Sequence, residues 1–333
     1  MRNKKKLLLP ETMSVAGWNL LKGRDDVEGI PFSPAMSTKD FHAALRDVHG
    51  VALGVTPFGV AELAAAPNIQ VVGRIGVGYD AVDVPALSAR KIPLMVTGIA
   101  NSVSVAEQAL YFMLALAKRG AALDAMVKSN RWTDRFQQLP GDLFGKTVLV
   151  IGFGRIGSRL AKRCRAMEMT VLVYDPYVPA HAIRAAEHEQ VADLDAALPR
   201  ADFVSIHCPK TPETIGLFDA RRLARMKRSA YLVNTARGGI VDETALHASL
   251  SSGGIAGAAL DVFDREPPAP DNPLLRLDNL IAAPHLAGVT VEAAARMAVT
   301  TVQNLLDVLD GRPNPDHVIN KDVLGRPPAP RQT

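Results

Sequence analysis

Short hydrophobic runs alternate along most of the chain with longer stretches in which apolar residues recur every three or four positions. A first series of runs occupies residues 6–9, 27–31, 51–54, 69–73 and 94–96. A second series occupies residues 147–151, 170–174, 203–206, 230–234, 257–260 and 280–282. Short apolar runs separated by helical patterns are typical of βαβ units, whose parallel strands are buried on both faces. The pattern therefore predicts an α/β protein built from doubly wound parallel sheets.

Two longer helical patterns accompany these series. Apolar residues at helical spacing predict one continuous helix over residues 102–125, with Ser102 or Ser104 as its cap. A second helix is predicted over residues 290–309, after the last strand. We expect these helices to be the crossings between two domains. Beyond them, a proline-rich end at residues 327–330 is predicted to fray.

Length and composition support two soluble domains. The chain has 333 residues, whereas a typical domain has ~100–200. Hydrophobic residues make up 48% and charged residues 22%, which is unlike a disordered chain or an integral membrane protein. The longest uncharged apolar stretch, residues 109–117, is shorter than the ~20 residues of a membrane span. The first apolar run also stops after three leucines, so we expect no export signal.

Cysteine usage and charge narrow the class further. The two cysteines, Cys164 and Cys208, form no CxxC pair, which argues against a disulfide framework or a structural zinc site and favours the cytoplasm. The net charge is only +4 and aromatic residues make up 5%. Basic residues in segment 221–228 alternate with apolar ones at helical spacing, which predicts a solvated helix face. We therefore expect no nucleic-acid partner and no membrane association.

A glycine-rich segment follows the first strand of the second series. Residues 152–157 read Gly-Phe-Gly-Arg-Ile-Gly and precede a predicted helix. In such a segment Gly152 permits a tight turn, Gly154 lets the backbone approach a pyrophosphate, and Gly157 lets the helix pack on its strand. Asp175, after the next strand, is placed to accept hydrogen bonds from ribose hydroxyls. Because Asp175 would repel the 2′-phosphate of NADP and no basic residue follows it directly, the pattern predicts NAD as the cofactor.

Three residues of complementary chemistry follow the last three predicted strands. Arg237 follows the fourth strand of the second series, Glu266 the fifth and His285 the sixth. Open α/β sheets bind ligands at the carboxyl ends of their strands. Arginine can hold a carboxylate, histidine can exchange a proton near neutral pH, and a nearby carboxylate favours imidazolium. Singly, each residue has an ordinary alternative: a surface charge, a satisfied polar side chain, or the end of a strand.

Taken together, these motifs resemble the D-isomer-specific 2-hydroxyacid dehydrogenase family. The similar segments occur in family order within about residues 50–300, at 72–80, 152–157, 207–209, 235–239, 261–267 and 284–285. The resemblance implies a Rossmann NAD-binding domain of residues 103–289. That domain is inserted in a flavodoxin-like split substrate domain of residues 1–102 and 290–333. The two long helices then form the hinge.

The resemblance also implies roles for individual residues. It makes Arg237 the ligand of the substrate carboxylate and carbonyl, His285 the proton donor in reduction, and Glu266 the partner that favours protonated His285. The amides of Val77 and Gly78 resemble the family's carboxylate-binding nest. Expected cofactor contacts, besides the three glycines and Asp175, are Arg155 and Ile156 at the pyrophosphate, Pro209 and Thr214 at the adenosine side, Thr235 and Asp261 at the nicotinamide side, and Ala236 and Gly288.

The sequence allows more than one role for Asp261 and for the pair His207 and Cys208. Asp261 is expected to accept a hydrogen bond from the carboxamide, or else to be a solvated carboxylate at a strand end. His207 is expected to shape its loop rather than to take part in chemistry. Cys208 lies beside it, but no base in a suitable sequence context supports a thiolate nucleophile.

The implied activity is the NAD-dependent interconversion of a small 2-oxo acid and its D-2-hydroxy acid. Formate dehydrogenases of the family carry glutamine where Glu266 stands, which argues against that branch, whereas phosphite dehydrogenases keep the Arg-Glu-His set. Phosphoglycerate dehydrogenases typically present arginine where residues 55–58 are Val-Thr-Pro-Phe, so glyoxylate or hydroxypyruvate is favoured over a phosphorylated substrate. A non-catalytic alternative is an NAD-binding corepressor. A homodimer is expected because the helix predicted over residues 102–125 resembles the family's dimer-forming element.

Overall fold

The computed structural model describes residues 4–325 and divides into two compact units. Unit 1 comprises residues 1–101 and 289–333, and unit 2 comprises residues 102–288. Each unit contains one sheet in which all strands run parallel. The predicted fold class, two parallel-sheet α/β domains, is confirmed. The predicted frayed end at residues 327–330 lies outside the described part of the chain.

The strands and helices follow the alternation that the sequence predicts. The strands are β1 Lys5–Pro10, β2 Val27–Phe32, β3 Gly50–Leu53, β4 Val71–Arg74, β5 Leu94–Met95, β6 Thr147–Ile151, β7 Thr170–Tyr174, β8 Glu189–Gln190, β9 Phe203–Ile206, β10 Tyr231–Asn234, β11 Gly257–Leu260 and β12 Leu280–Ala282. The helices are α1 Val15–Trp18, α2 Thr38–Leu45, α3 Val60–Ala65, α4 Val84–Ala89, α5 Ser102–Lys118, α6 Gly120–Lys128, α7 Gly157–Ala166, α8 Ala180–Ala185, α9 Leu194–Ala197, α10 Ala220–Leu223, α11 Glu243–Ser251 and α12 Val291–Leu309. Short 3₁₀ turns include Trp132–Phe136.

The five-stranded sheet of unit 1 has the order β2-β1-β3-β4-β5, which is the flavodoxin-like order. Side chains of β1 alternate between its two faces, so Leu7 and Leu9 enter one core cluster and Leu8 enters the other. Helix α12 covers the first face with Val302 and Leu305. Burying each such side chain contributes about 1.5–3 kcal/mol. The sheet and α12 therefore form one core, although nearly 200 residues of unit 2 separate them in sequence.

The chain beyond α12 returns to the edge of the unit 1 sheet. Val318 forms an antiparallel bridge with Met95 of β5, and the N–H of Ile319 donates to the Leu94 carbonyl at 2.9 Å. The buried side chain of Asn320 accepts from the Leu94 N–H at 2.8 Å and donates to the Ile92 carbonyl at 2.9 Å. These contacts satisfy backbone groups that a bare edge strand would leave open to pairing with another chain.

The seven-stranded sheet of unit 2 has the order β12-β11-β10-β9-β6-β7-β8. With β6 as its first strand, this is the Rossmann order with one added strand at the edge. Val148 and Val150 of β6 pack with Phe112 of α5 and Leu160 of α7, whereas Leu149 faces the opposite cluster. The two-residue edge strand β8 has no counterpart among the predicted strands.

The single helix predicted over residues 102–125 is wrong. Helix α5 ends at Lys118 because Arg119 adopts a left-handed backbone with φ of 53°, and α6 then begins at Gly120. Ser104 lies inside α5 rather than at its cap. Apolar residues continue at helical spacing through α6, so the hydrophobic pattern gives no sign of the break. None of the α6 residues is buried. Across the described residues, no helix is both long and apolar enough to cross a membrane.

Candidate active site

The glycine-rich loop, residues 152–157, joins β6 to α7 and is shaped by close backbone contacts. Gly152 has a φ of +90°, and a Cβ there would lie 2.8 Å from the amide nitrogen of Cys208. A Cβ at Gly157 would lie 1.9 Å from the Gly152 carbonyl oxygen. At Gly154, no heavy atom of the described residues lies within 4 Å of that position. Two glycines are therefore needed for the fold of the loop, and the third faces open space.

The N-terminus of α7 is suited to an anion. Its cap residue is Ile156, no side chain caps it in the described structure, and its first turn contains no acidic residue. The first N–H groups of a helix lack intrahelical partners, and the helix dipole attracts negative charge there. An open glycine before such a terminus fits the pyrophosphate of a dinucleotide. Arg155, directly before the cap, lies at the same turn.

Backbone amides hold the carboxylate of Asp175 at the end of β7. Oδ2 accepts from the N–H of Phe153 at 2.7 Å, while Oδ1 accepts from the N–H groups of Tyr177 at 2.9 Å and Val178 at 3.1 Å. The bond to Phe153 connects Asp175 to the glycine-rich loop. The structure thus adds to the predicted ribose contact a second role for Asp175, in shaping this loop.

The segment after β9 supports the same loop. Burial lowers the pKa of His207 to about 3, so its imidazole is neutral, which agrees with a role in shaping the loop. Burial, with a smaller contribution from Asp175, raises the pKa of Cys208 to about 11, so this thiol is not a nucleophile at neutral pH. The hydroxyl of Thr214 donates to the carbonyl of Pro209 at 2.7 Å. Pro209 and Thr214 therefore belong to one tied turn.

Of the two residues expected at the nicotinamide side, Thr235 follows β10 and Asp261 follows β11. The hydroxyl oxygen of Thr235 is buried and has no hydrogen-bond partner within residues 4–325. Such a group is uncommon in folded proteins and fits a polar partner such as a carboxamide. Ala236 is the next residue, and its N–H donates to Oδ1 of Asn234 at 3.0 Å. Gly288 is the last residue of unit 2.

The residues predicted to carry the chemistry follow three adjacent strands. Strands β10, β11 and β12 are neighbours in the sheet and run parallel. Their carboxyl ends lead into the loops that carry Arg237, Glu266 and His285, respectively. Ligands of open α/β sheets bind at this edge. The topology therefore places all three loops at one end of the unit 2 sheet.

Glu266 and His285 are in direct contact. Nδ1 of His285 lies 2.7 Å from Oε2 of Glu266, and both side chains are partly exposed. The other carboxylate oxygen, Oε1, accepts from the N–H of Phe263 at 3.0 Å. This second bond fixes the carboxylate against its own loop. Because the carboxylate faces Nδ1, the tautomer that pairs with it carries a proton there, and Nε2 is left to exchange a proton with a ligand.

Asp261 anchors the loop that carries His285. It is 1% exposed, and its carboxylate accepts from the N–H of Leu286 and the N–H of Ala287, each at 2.9 Å. Its carbonyl accepts from the N–H of His285 at 2.8 Å. Burial raises the pKa of Asp261, although the two amide bonds oppose this effect. The alternative of a solvated carboxylate at a strand end is therefore wrong, and the expected carboxamide contact stays a prediction.

The Arg237 loop is organised by the buried side chain of Asn234. Its amide nitrogen donates to the carbonyl of Arg237 at 2.9 Å, and its Oδ1 holds the Ala236 N–H. One guanidinium nitrogen of Arg237 donates to the Ala236 carbonyl at 2.7 Å. The sequence placed Asn234 in a strand without assigning it a role. Its two hydrogen bonds close the turn from which Arg237 projects.

A further glycine brings the Arg237 loop against the Glu266 loop. A Cβ at Gly238 would lie 1.8 Å from the carbonyl oxygen of Phe263, so only glycine permits this approach. Gly239 has a φ of +80°, and its N–H donates to Oδ1 of Asp264 at 2.6 Å. The roles of Gly238 and Asp264 were missed in the sequence. The two glycines after Arg237 indicate a close backbone approach, but the sequence does not show which segment approaches them.

In unit 1, the loop after β4 carries Val77 and Gly78. Arg74 shapes this loop, because its Nε donates to the Gly78 carbonyl at 2.7 Å and its Nη1 donates to the Leu53 carbonyl at 2.9 Å. Gly76 has a φ of +139°, which favours glycine. In the described structure the amides of Val77 and Gly78 donate to no other group. Unpaired successive amides are the feature of an anion-binding nest.

No group of three or more His, Cys, Asp or Glu side chains that could hold a metal ion occurs among residues 4–325. The polar constellation at the end of the unit 2 sheet is instead an ionisable pair beside an arginine loop. Such a set can hold an anionic ligand and exchange one proton with it.

The chain resembles known proteins over most of its length. A family model described as "D-isomer specific 2-hydroxyacid dehydrogenase, NAD binding domain" matches residues 110–287. A D-3-phosphoglycerate dehydrogenase of Archaeoglobus fulgidus is 42% identical over 252 residues, which cover 75% of this chain and 47% of that one. A glyoxylate reductase of Thermofilum pendens is 40% identical over 263 residues, which cover 78% and 77% of the two chains.

A solved structure extends the similarity to the whole fold. The NAD complex of a formate dehydrogenase from Staphylococcus aureus superimposes with a TM-score of 0.81 at 28% identity, covering 94% of this chain and 98% of that one. The match to the phosphoglycerate dehydrogenase spans about half of that longer protein. Unit 2 contains all the residues that the family model matches, and the solved structure extends the similarity to unit 1.

Proposed function

This chain belongs to the D-isomer specific 2-hydroxyacid dehydrogenase family, and from this premise we propose that it interconverts a small 2-oxo acid and its D-2-hydroxy acid with NAD. The observation that carries the proposal is the 2.7 Å contact between His285 and Glu266, whose loop packs against the Arg237 loop. The bound cofactor supplies the hydride in reduction and accepts it in oxidation. The residues of the chain supply the proton, the charge and the orientation.

His285 and Arg237 have different roles at the substrate: His285 transfers the proton, and Arg237 binds the negative charge. With Nδ1 held by Glu266, His285 presents Nε2, which gives a proton to the carbonyl oxygen in reduction and removes it in oxidation. Arg237 binds the substrate carboxylate and the carbonyl oxygen, where negative charge grows in the transition state. The amides of Val77 and Gly78 are proposed to bind the carboxylate. Glu266 stabilises the imidazolium that reduction requires.

Cofactor binding is proposed for residues of the glycine-rich loop and of the loops that follow β7, β9, β10, β11 and β12. The proposed pyrophosphate site is formed by Gly152, Gly154, Gly157, Arg155 and Ile156. Asp175 is proposed to bind the ribose hydroxyls of the adenosine. The remaining proposed contacts are Pro209 and Thr214 at the adenosine side, Thr235 and Asp261 at the nicotinamide side, and Ala236 and Gly288.

The proposed substrate class rests on the charge of one loop in unit 1. Residues 55–58, Val-Thr-Pro-Phe, follow β3 without a basic side chain, and Val55 is exposed. A phosphate group would gain no cation from this loop, which favours an unphosphorylated acid such as glyoxylate or hydroxypyruvate. The second candidate substrate is 3-phosphoglycerate, because the Archaeoglobus fulgidus relative is named for it and is 42% identical over the matched residues.

A homodimer is part of the proposal. Unit 2 exposes several large apolar side chains between the middle of α5 and the start of β6: Tyr111, Val127, Trp132, Phe136, Leu139 and Phe144. A concentration of exposed apolar surface marks interaction sites, and two-fold symmetry is the commonest closed arrangement. Light scattering at micromolar concentration is expected to give about twice the chain mass of 35.6 kDa. A mass of one chain would contradict the dimer.

A turnover assay tests the activity. NADH oxidation is measured with glyoxylate, hydroxypyruvate, pyruvate and 3-phosphohydroxypyruvate, and NAD reduction is measured with phosphite. We expect the highest kcat/KM with an unphosphorylated 2-oxo acid, and Arg237→Ala should lower kcat and raise the KM for that acid. Highest efficiency with 3-phosphohydroxypyruvate would select the second candidate. NADH binding without turnover of any compound would favour the non-catalytic, corepressor-like alternative.

A further inference from the structure

A carboxylate outside the proposed catalytic set ties the Arg237 loop to the Glu266 loop. Oδ1 of Asp264 accepts from the N–H of Gly239 at 2.6 Å, two residues beyond Arg237 in the chain. The side chain of Asp264 therefore reaches across from one loop to the backbone of the other. This bond lies next to the contact between Gly238 and Phe263, where the two backbones leave no room for a Cβ.

Asp264 is itself held by the first turn of α11. Its N–H donates to Oε1 of Glu243 at 2.6 Å, and Oε2 of Glu243 accepts from the side-chain amide of Asn272 at 2.9 Å. Glu243 is the first residue of α11. The carboxylate of Glu243 thus holds the backbone of Asp264, and the side chain of Asp264 in turn holds the backbone of Gly239.

The same short segment controls Glu266. The residue before Asp264 is Phe263, whose N–H donates to Oε1 of Glu266 at 3.0 Å. Glu266 in turn meets His285 through its other oxygen. Hydrogen bonds therefore connect α11 through Asp264 to the Arg237 turn. The adjacent residue Phe263 connects the same segment to the Glu266–His285 pair.

We propose that Asp264 is a positioning residue that sets the placement of Arg237 relative to the Glu266–His285 pair, and that Glu243 acts through it. This proposal rests on the proposed function, since it concerns the alignment of the groups that bind and protonate the 2-oxo acid. Asp264 acts by accepting a hydrogen bond and not by its charge. Small displacements of a binding group lower rates strongly, because productive binding demands close alignment.

The variants separate geometry from charge. Asp264→Asn keeps an oxygen for the Gly239 N–H and removes the charge, whereas Asp264→Ala removes both. We expect Asp264→Ala to lower kcat/KM for the 2-oxo acid about tenfold, mainly through KM, and Asp264→Asn to retain most of the wild-type value. The matched control is Asp193→Ala, which also removes a carboxylate that accepts backbone N–H bonds, at the cap of α9. It should leave both kinetic constants unchanged.

A double variant tests the order of action. If Glu243 acts on the Arg237 turn only through the side chain of Asp264, the double variant Glu243→Ala/Asp264→Ala should show no faster amide exchange over residues 236–241 than Asp264→Ala alone. Faster exchange in the double variant would instead make Glu243 an independent support and would overturn that part of the proposal. Equal loss in Asp264→Asn and Asp264→Ala would show that charge is what matters and would overturn the positioning role.

Amide hydrogen exchange gives a readout that needs no turnover. Asp264→Ala should speed exchange in peptides covering residues 236–241, and Asp264→Asn should not, while NADH affinity stays within about twofold for both. If the wild-type enzyme reduces none of the 2-oxo acids, the proposed function fails, yet the exchange experiment still decides whether Asp264 holds the loop. Unchanged exchange in Asp264→Ala would overturn the positioning role in either case.

Discussion

Nδ1 of His285 meets Oε2 of Glu266 at 2.7 Å, although His285 adopts a left-handed backbone with φ of 56°. A non-glycine residue in this region bears strain of about 1–3 kcal/mol, which surrounding contacts must offset. Asp261 provides those contacts by accepting three backbone N–H bonds from residues 285–287. The orientation of the imidazole is thus imposed by a buried neighbour on β11 and not by His285 itself.

Replacing His285 should abolish most of the turnover without affecting cofactor binding. His285→Ala removes the proposed proton donor, and loss of a general acid lowers rates by ~10²–10⁴-fold. Steady-state kinetics on the best 2-oxo acid and fluorescence titration with NADH measure the two effects. His181→Ala, on α8, is the matched control and should behave like the wild type. Wild-type turnover in His285→Ala would refute the proton-transfer role.

Removing the charge of Glu266 should slow reduction more than oxidation. The carboxylate meets Nδ1 of His285 at 2.7 Å and favours the charged imidazole that donates a proton in reduction. For Glu266→Gln, we expect kcat to fall more for reduction than for oxidation, while the affinity for NADH stays unchanged. Steady-state kinetics in both directions at one pH provide the measurement. An equal fall in both directions, or no fall in either, would contradict the pairing.

Asp175 should set the preference for NADH over NADPH. Its carboxylate would repel a 2′-phosphate, and it also holds the Phe153 amide. Asp175→Asn removes the charge and keeps one acceptor oxygen, which can serve either Phe153 or the pair Tyr177 and Val178, whereas Asp175→Ala removes both oxygens. Both changes should narrow the ratio of kcat/KM values for the two cofactors, and Asp175→Ala should weaken NADH binding more than Asp175→Asn does. Equal kcat/KM values of the wild type with NADH and NADPH would contradict the predicted preference for NADH.

The stability contributed by Asp261 should decline as pH rises. Burial raises its pKa, so the folded protein keeps this proton to a higher pH than the unfolded chain, whose value is about 3.9. The stabilising contribution of Asp261 is fully present below its pKa in the unfolded chain. It is lost as the pH rises through its pKa in the folded protein. Asp261→Asn lacks this titration and leaves one amide unpaired, at a cost of about 1–3 kcal/mol.

Calorimetric Tm values from pH 4 to 7 test this expectation. The deficit of Asp261→Asn relative to the wild type should be largest at the acid end and should narrow toward neutral pH. A matched measurement on Asp193→Ala corrects for pH effects elsewhere in the chain. A deficit that widens with rising pH would show that the carboxylate is stabilised as the anion and would reverse the assignment.

The sequence predicted the sheets better than the contacts between their loops. Strand β6 lies at the predicted residues because a buried parallel strand is apolar throughout, whereas the polar pair Glu189–Gln190 of β8 carries no such signal. The break at Arg119 depends on one backbone angle, which hydrophobic spacing does not encode. Asp264 was missed for another reason: its partner, Gly239, is 25 residues away, and only the folded loops bring them together.

The discontinuity of unit 1 has a consequence for the order in which the protein is made. Strands β1 to β5 leave the ribosome before α12 exists, so the sheet face with Leu7 and Leu9 lacks the cover that α12 provides during synthesis of the next 187 residues. Unit 2 is contiguous and can complete its core as it emerges. The first sheet to be synthesised is therefore the last to be finished, and until α12 arrives part of its apolar face stays exposed to aggregation or to chaperones.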